Sequence, residues 1–172
     1  TPTGLWHEHG HDGSEPVVWL DVLDLPIVYY LEASYHINGK RQAVKPGHGD
    51  RAYARGGIVP TPVFERSHKA YPMLRYPWRD ARAALESLAV DQPDLASVQV
   101  TYVNPETGGH AENILGFHAL MLRPGQTLKL PVRSPAVVFH LIEGSVDVRV
   151  EDQAFTLAEA SVKAWSSTRT ST

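Results

Sequence analysis

The stretch that decides the fold is PTGLWHEHGHD, residues 2–12, in which three of the nine histidines stand at alternate positions. They are His7, His9 and His11. On an extended strand, alternate side chains leave the backbone on the same face, so the spacing predicts a row of imidazoles. Such a row can ligate a divalent metal, or place one ligand beside a second histidine that handles a substrate. The spacing Pro-x-Gly-x-x-His indicates a tight turn that delivers His7 to a strand.

The composition is ordinary for a soluble globular protein and excludes several classes of partner. The 172 residues are 42% hydrophobic and 20% charged, enough for one sizeable domain or for pieces of two. The net charge of −3 argues against a basic surface that binds nucleic acid. No apolar run is long enough to cross a bilayer. Without cysteine, any metal would be held by nitrogen and oxygen ligands, and a reducing cytoplasm is the expected compartment. The chain begins with Thr1 rather than methionine, which indicates a processed, partial or truncated product.

The first half of the chain predicts strands, a linker and one helix. Branched and aromatic residues at 17–20 and 25–31 predict two strands, with Pro26 at a strand start or edge because it lacks an amide donor. Residues 38–60 are rich in glycine and basic side chains, which is typical of a linker. A helix is predicted near 78–89, preceded by Pro77. Its apolar stripe consists of Trp78, Ala81, Leu85 and Leu88.

The second half predicts short strands separated by turns. Apolar stretches lie at 98–103, 114–122 and 137–142, and residues 145–151 alternate, with Val146, Val148 and Val150 on one face. Glycine and proline mark turns at 104–109 and 123–125. This pattern is typical of a β-sandwich or barrel, and a double-sheet jelly roll is one such solution. Residues 166–172 predict a polar tail.

An ordered set of motifs resembles the gentisate 1,2-dioxygenases, a family of proteins with two cupin barrels. Pro-x-Gly-x-x-His looks like the second metal-binding motif of cupins. Further motifs of that family occur in the same order, from WHEHG at 6–10 through WLDxxDxP at 19–26, YPW at 76–78 and NPxTGG at 104–109 to LRPG at 122–125. The similarity runs from Pro2 to about Trp165.

The resemblance implies a mainly β fold, the cupin jelly roll, with one linking helix. Residues 1–37 would be the C-terminal part of a first barrel, and residues 38–97 a linker that contains the helix. Residues 98–165 would be a second, metal-free barrel, followed by the tail.

The resemblance also implies an activity and a site. Members of the family use Fe(II) and O₂ to open the ring of gentisate, and related enzymes cleave salicylate or 1-hydroxy-2-naphthoate. Their iron is held by three histidines of the N-terminal barrel, two from the first motif and one from the second. His7 takes the role of that last iron ligand, and His9 matches a histidine that contacts the substrate and can move a proton. Asp21 is a candidate for the carboxylate that orients a ligand imidazole.

The chain departs from the family pattern in its ligands. The first motif, with its His-x-His pair, would lie upstream of Thr1. In the second barrel, Gly125 and Gly144 keep the spacing of a first motif. The three ligand positions hold Pro131, Arg133 and Val137. We therefore expect this barrel to serve packing and to bind no metal of its own.

Two alternatives stay open beside the dioxygenase. One is a non-catalytic cupin fragment with a structural or oligomerisation role. The other is a zinc hydrolase that uses His7, His9 and His11 together with Asp12. In each case, strand edges left by a partial barrel would seek partners, so we expect a homo-oligomer.

The other histidines receive no functional role. His140 lies on an apolar run and is predicted to be a hydrogen-bonded core residue. No shared spacing groups His36, His48, His68, His110 and His118.

Overall fold

The structure, a computed structural model, describes residues 9–35, 37–40, 61–64, 75–105, 107–112, 114–131 and 136–165. The chain divides into two compact units, Thr1–Thr127 and Leu128–Thr172. This division falls within the expected second barrel, and the domain boundaries expected from the sequence stay a prediction. The helices and strands are α1 (Leu25–Tyr30), α2 (Thr61–Phe64), α3 (Trp78–Asp91), β1 (Ser97–Thr101), β2 (His118–Leu122), β3 (Val137–His140), β4 (Ser145–Val150), β5 (Gln153–Ala158) and β6 (Val162–Trp165).

The core of the first unit lies where α3 packs on the antiparallel pair β1–β2. Leu85 is 1% exposed and contacts a cluster that includes Ala81 of the helix, Val98 of β1 and Ala119 of β2. The strand register explains the cluster, because Val100 stands opposite Ala119 and Val98 opposite Met121. The apolar stripe predicted for the helix is confirmed: Ala81 and Leu85 are buried, and Trp78 and Leu88 pack beside them.

Two turns shape the ends of this β-ladder. At the first, the Asn104 carbonyl accepts hydrogen bonds from the amides of Thr107 (3.2 Å) and Gly108 (2.8 Å). Gly108 has a φ of +71°, which only glycine adopts freely. At the second, Gly125 has a φ of +72°, and the Gln126 amide donates to the Arg123 carbonyl. Both turns confirm the predictions from the NPxTGG and LRPG motifs.

Arg123 joins the end of β2 to the end of α3. Its guanidinium donates to three backbone carbonyls: those of Ala89, of Gln92 at 3.0 Å and of Leu95 at 2.8 Å. The last carbonyls of a helix have no partner within it and carry the negative end of its dipole. The cation therefore stabilises the C-terminus of α3.

The second unit contains two antiparallel strand pairs. In β4–β5, Val148 stands opposite Phe155 and Asp147 opposite Thr156, whose hydroxyl donates to the Asp147 carboxylate at 2.8 Å. Valines of β4 are half-buried at alternate positions, as predicted. In the other pair, β3 runs antiparallel to β6, with His140 opposite Val162.

The prediction of a strand over 25–31 is wrong, because Leu25–Tyr30 form α1. Asp24 precedes the helix, and Pro26 lies in its first turn, where its missing amide costs nothing. The helix ends as Glu32 adopts a φ of +51°. Short apolar runs cannot be assigned to helix or strand by periodicity alone, and here the proline placement was the informative signal.

Four further expectations differ from the structure. Residues 17–20 are not in a strand, and β2 begins at His118 rather than near residue 114. The expected single helix, α3, is accompanied by the short helices α1 and α2. His140 was predicted to lie in the core, but every residue of β3 is exposed. The linker segments 41–60 and 65–74, and the tail from 166, lie outside the described residues.

Replacing Leu85 with alanine should remove the centre of the α3–β1–β2 core. Truncation of a fully buried leucine costs about 2–5 kcal/mol, because transfer free energy is lost and a cavity remains. Urea denaturation, monitored by circular dichroism, measures the resulting decrease in the free energy of unfolding. Val90→Ala, on the same helix at a position 78% exposed, is the matched control and should stay within about 0.5 kcal/mol of the parent. Equal losses in the two variants would contradict the assigned core.

Replacing Arg123 with alanine should destabilise the C-terminus of α3. Three carbonyls would lose a charged donor, and we expect a loss of about 1–3 kcal/mol in the free energy of unfolding. Hydrogen exchange of the amides near residue 90 should accelerate in the same variant. Arg123→Lys keeps the charge but not the planar fork, and should recover only part of the loss. An Arg123→Ala variant as stable as the parent would show that these bonds contribute nothing.

Candidate functional site

His9 is the one predicted site residue whose side-chain surroundings the structure specifies. Its ring meets the indole of Trp19 edge-on, with centroids 4.9 Å apart and planes at 70°. The contact joins the WHEHG and WLD motifs in space, and neither His9 nor Trp19 is in a regular strand. Such edge-to-face pairs are favourable because the positive ring edge meets the negative ring face. The indole therefore limits the orientations of the His9 imidazole while leaving the residue exposed.

His11 belongs to a local turn and not to a shared imidazole row. Its Nε2 lies 2.5 Å from the backbone oxygen of Glu15, four residues later. The ring occupies the space beside Gly13, where a β-carbon would stand 2.6 Å from its Cε1. Only glycine fits there without displacing the ring. The His11 side chain is thus committed to this local contact with the Glu15 backbone.

Asp21 and Asp24 flank the path into α1. Asp21 lies two residues beyond Trp19 and is exposed. The Asp24 carbonyl accepts the first helical hydrogen bond, from Ile27 at 2.9 Å. Asp24 therefore has a structural role, and the role of Asp21 stays a prediction.

A second group of titratable side chains, missed by the sequence reasoning, surrounds the β1–β2 turn. The rings of Tyr76 and Tyr102 meet edge-on at 5.5 Å, and the Tyr76 hydroxyl donates to the Val103 carbonyl at 3.0 Å. Burial raises the pKa of both tyrosines, and the negative charge of Glu112 raises the pKa of Tyr76 further. Both phenols therefore stay neutral donors at physiological pH.

His110 and His118 are the other part of this group. Their ring centroids lie 6.2 Å apart with planes at 86°. Sequence spacing gave no sign of this pair, since the two residues meet only through the register of the hairpin.

Comparison with known proteins shows which enzymes this chain resembles. It is 74% identical over 160 residues to a gentisate 1,2-dioxygenase of Ralstonia sp., a match that covers 93% of this chain and 45% of the relative. Over nearly its whole length, the chain is therefore similar to one part of a gentisate 1,2-dioxygenase. A 5-aminosalicylate 1,2-dioxygenase of Comamonas sp. is 28% identical over 158 residues, covering 90% of this chain and 42% of that protein. The chain thus spans less than half the length of these curated relatives, and no family model matches it.

Solved structures confirm the fold class. Salicylate 1,2-dioxygenase of Pseudaminobacter salicylatoxidans superposes with a TM-score of 0.61 at 19% identity, covering 82% of this chain and 43% of that one. Its adduct with gentisate superposes with a TM-score of 0.63, also at 19% identity, over 84% of this chain and 42% of that one. The mainly β cupin jelly roll predicted from the sequence is therefore confirmed.

The part of this chain that the structure describes does not by itself fit an iron centre. Within it, no three His, Cys, Asp or Glu side chains come together to hold a metal. His7, the predicted ligand, lies outside the described residues. His9, His11 and Asp12 lie within them and form no such group, so the described residues do not support the zinc hydrolase alternative, which also uses His7.

None of the helices in the described ranges has the length and apolar character needed to cross a bilayer.

Replacing Trp19 with leucine should release the His9 ring. The His9 carbon-bound protons should lose the ring-current shift of the indole, and the imidazole should sample more orientations. Proton–carbon NMR of the nine histidines measures both effects. Trp78→Leu is the matched control, because Trp78 packs on the α3 core. His9 resonances that do not change in Trp19→Leu would contradict the contact.

Proposed function

We propose that this chain supplies part of the active site of a ring-cleaving dioxygenase that acts on a hydroxylated aromatic acid with O₂. The observation that carries the proposal is its 74% identity over 160 residues to the Ralstonia gentisate 1,2-dioxygenase. The identity with the 5-aminosalicylate and 1-hydroxy-2-naphthoate dioxygenases is much lower, 28% and 29%. Gentisate is therefore the favoured substrate.

His7 would be this chain's ligand to Fe(II), and the other ligands would come from the length of protein that the relatives have and this chain does not. An iron centre of this kind, when bound, activates O₂ and orients the two reactants. An all-imidazole ligand set is suited to iron among the first-row metals and leaves its dication charge intact.

His9 would act on the substrate. It stands two residues from His7, so on extended backbone both imidazoles face the same side. A neutral imidazole near pH 7 can take the proton of a substrate hydroxyl and return it later. The edge contact with Trp19 supports this role, because a fixed ring loses less entropy on binding than a free one.

Asp21 would position rather than react. A carboxylate that accepts a hydrogen bond from a metal-bound imidazole fixes its tautomer and raises its basicity. The exposure of Asp21 and its place two residues beyond Trp19 are compatible with a carboxylate that reaches a ligand beside His9.

The alternative is a non-catalytic cupin fragment, and the exposed apolar surface of residues 17–31 favours it for this chain on its own. Val18 is 92% exposed and Tyr30 is 87% exposed, which is unusual for side chains of this size in a finished site. The same surface supports the expectation of a homo-oligomer. A cytoplasmic location, inferred from the absence of cysteine, belongs to the proposal as well.

Joining this chain to the part of the Ralstonia relative that it does not match should produce a protein that binds iron and consumes O₂ with gentisate. In that protein, His7→Ala should lose its iron, measured by metal analysis after anaerobic loading and desalting. His140→Ala, an exposed strand histidine of the second unit, is the matched control and should keep its iron. Unchanged iron content in His7→Ala would reject the ligand assignment.

Replacing His9 with glutamine in the same joined protein should separate chemistry from metal binding. Iron content should stay unchanged, while gentisate-dependent O₂ consumption should fall by about 10²–10⁴-fold, the usual effect of removing a proton-transfer group. Full activity in His9→Gln would exclude the proton-transfer role, and loss of iron would make His9 a ligand instead.

A further inference from the structure

We propose that His110 and His118 form a metal site of their own, which binds a borderline divalent cation such as Zn²⁺ or Cu²⁺ through two imidazole nitrogens. The site lies on the hairpin formed by β1 and β2, within the range expected from the sequence to be a metal-free barrel, but away from the motif positions on which that expectation was based. It shares no residue with the proposed iron centre. Failure of the proposed function would therefore not affect this proposal, and failure of this proposal would not affect the proposed function.

The backbone places both histidines on one face. His118 pairs with Thr101 in the β1–β2 ladder, and His110 pairs with Val103 in an isolated bridge. Thr101 and Val103 are two residues apart, so their side chains leave an extended chain on the same side. Their cross-strand partners, His118 and His110, therefore lie on that side as well, and the centroids of the two imidazoles are 6.2 Å apart. Although His110 and His118 are separated along the chain, the register makes them neighbours.

Thr101 prepares His118 to act as a ligand. The Thr101 hydroxyl oxygen lies 2.9 Å from His118 Nδ1. When Nδ1 carries the proton and donates it to this oxygen, Nε2 is left with its lone pair. Ligating histidines commonly donate their other ring N–H in this way, which fixes both the tautomer and the ring orientation.

Gly116 keeps the space beside both rings open. A β-carbon at this position would lie 3.4 Å from His118 Nε2 and 3.5 Å from His110 Nδ1, so both nitrogens border the same small region. Zinc–nitrogen bonds are about 2.0–2.1 Å long, so both nitrogens would have to approach one ion closely. Both histidines are exposed, which leaves their rings room to turn. Rotation of the exposed His110 ring would bring the two nitrogens to chelating distance without moving the backbone.

The ligand type selects the cation. Imidazole nitrogen suits Zn²⁺, Cu²⁺ and Ni²⁺, whereas Mg²⁺ and Ca²⁺ require oxygen ligands. Within the described ranges, no third His, Cys, Asp or Glu joins the pair as a ligand group. Water would fill the remaining positions, so we expect binding weaker than at a three-histidine site, with Cu²⁺ bound more tightly than Zn²⁺.

The test is a Zn²⁺ titration of the full 172-residue chain, followed by long-range proton–nitrogen NMR of the imidazoles. This experiment reads each histidine separately, so binding at residues 7–11 does not obscure the result. We expect His118 Nε2 and His110 Nδ1 to shift together along one binding curve. His118→Ala should abolish the His110 response, and His140→Ala should leave it unchanged. Backbone amide spectra of each variant establish that it folds.

Two further variants test the geometry without removing a ligand. Thr101→Val should weaken Zn²⁺ binding at the pair by about tenfold or more, because the orienting hydrogen bond is lost. Gly116→Ala should weaken it as well, since the added methyl occupies the space beside both nitrogens. The proposal is overturned if neither histidine responds to millimolar Zn²⁺, or if the His110 response persists unchanged in His118→Ala.

Discussion

The packing of Leu85 against β1 and β2 organises the core of the first unit. The helix α3 alone could not be stable in water at its length, so its apolar stripe needs the face of the strand pair. Arg123 directly follows β2, and its guanidinium donates to the carbonyls of Ala89 and Gln92 at the end of that helix. Its register also decides what stands on the exposed face, where Thr101 meets His118. The alignment of β1 with β2 thus determines the packing of the core, the position of Arg123 at the helix end and the proximity of His110 to His118.

Much of this fold follows from the sequence, and the exceptions have physical reasons. The spacing of apolar residues from Trp78 to Leu88 predicted α3, and the alternation of valines after Ser145 predicted β4, because each pattern is long enough to favour one period. The run Leu25–Tyr30 is too short for that, and branched side chains suggested a strand while Asp24 and Pro26 set the start of a helix. His140 was misplaced for a different reason: an apolar run indicates burial only when another element covers it, and all of β3 is exposed.

The candidate site was only partly predictable. The alternate spacing of the histidines and the order of the motifs led to His7 and His9, and the resemblance led to Asp21. The contact between His9 and Trp19 adds a physical link between two of those motifs. The partner residues that would complete an iron centre are absent from the part of the chain that the structure describes. The pair of His110 and His118 could not be found by spacing, because it arises from a hairpin register and from the missing side chain of Gly116. The sequence offered one signal for this pair: His118 stands opposite Thr101 if the two predicted strands are aligned in the observed register.

The central proposal is that this chain is one part of a dioxygenase, and that the remaining length of that protein covers the apolar surface of residues 17–31. Amide hydrogen exchange measures this most directly, comparing the chain alone with the protein extended to the length of its Ralstonia relative. Amides of α3 serve as the internal reference, because their protection comes from the Leu85 core in both proteins. The account predicts that exchange over residues 17–31 slows at least about tenfold in the longer protein, as surface that is open here becomes packed. Equal exchange rates over those residues in the two proteins would contradict it.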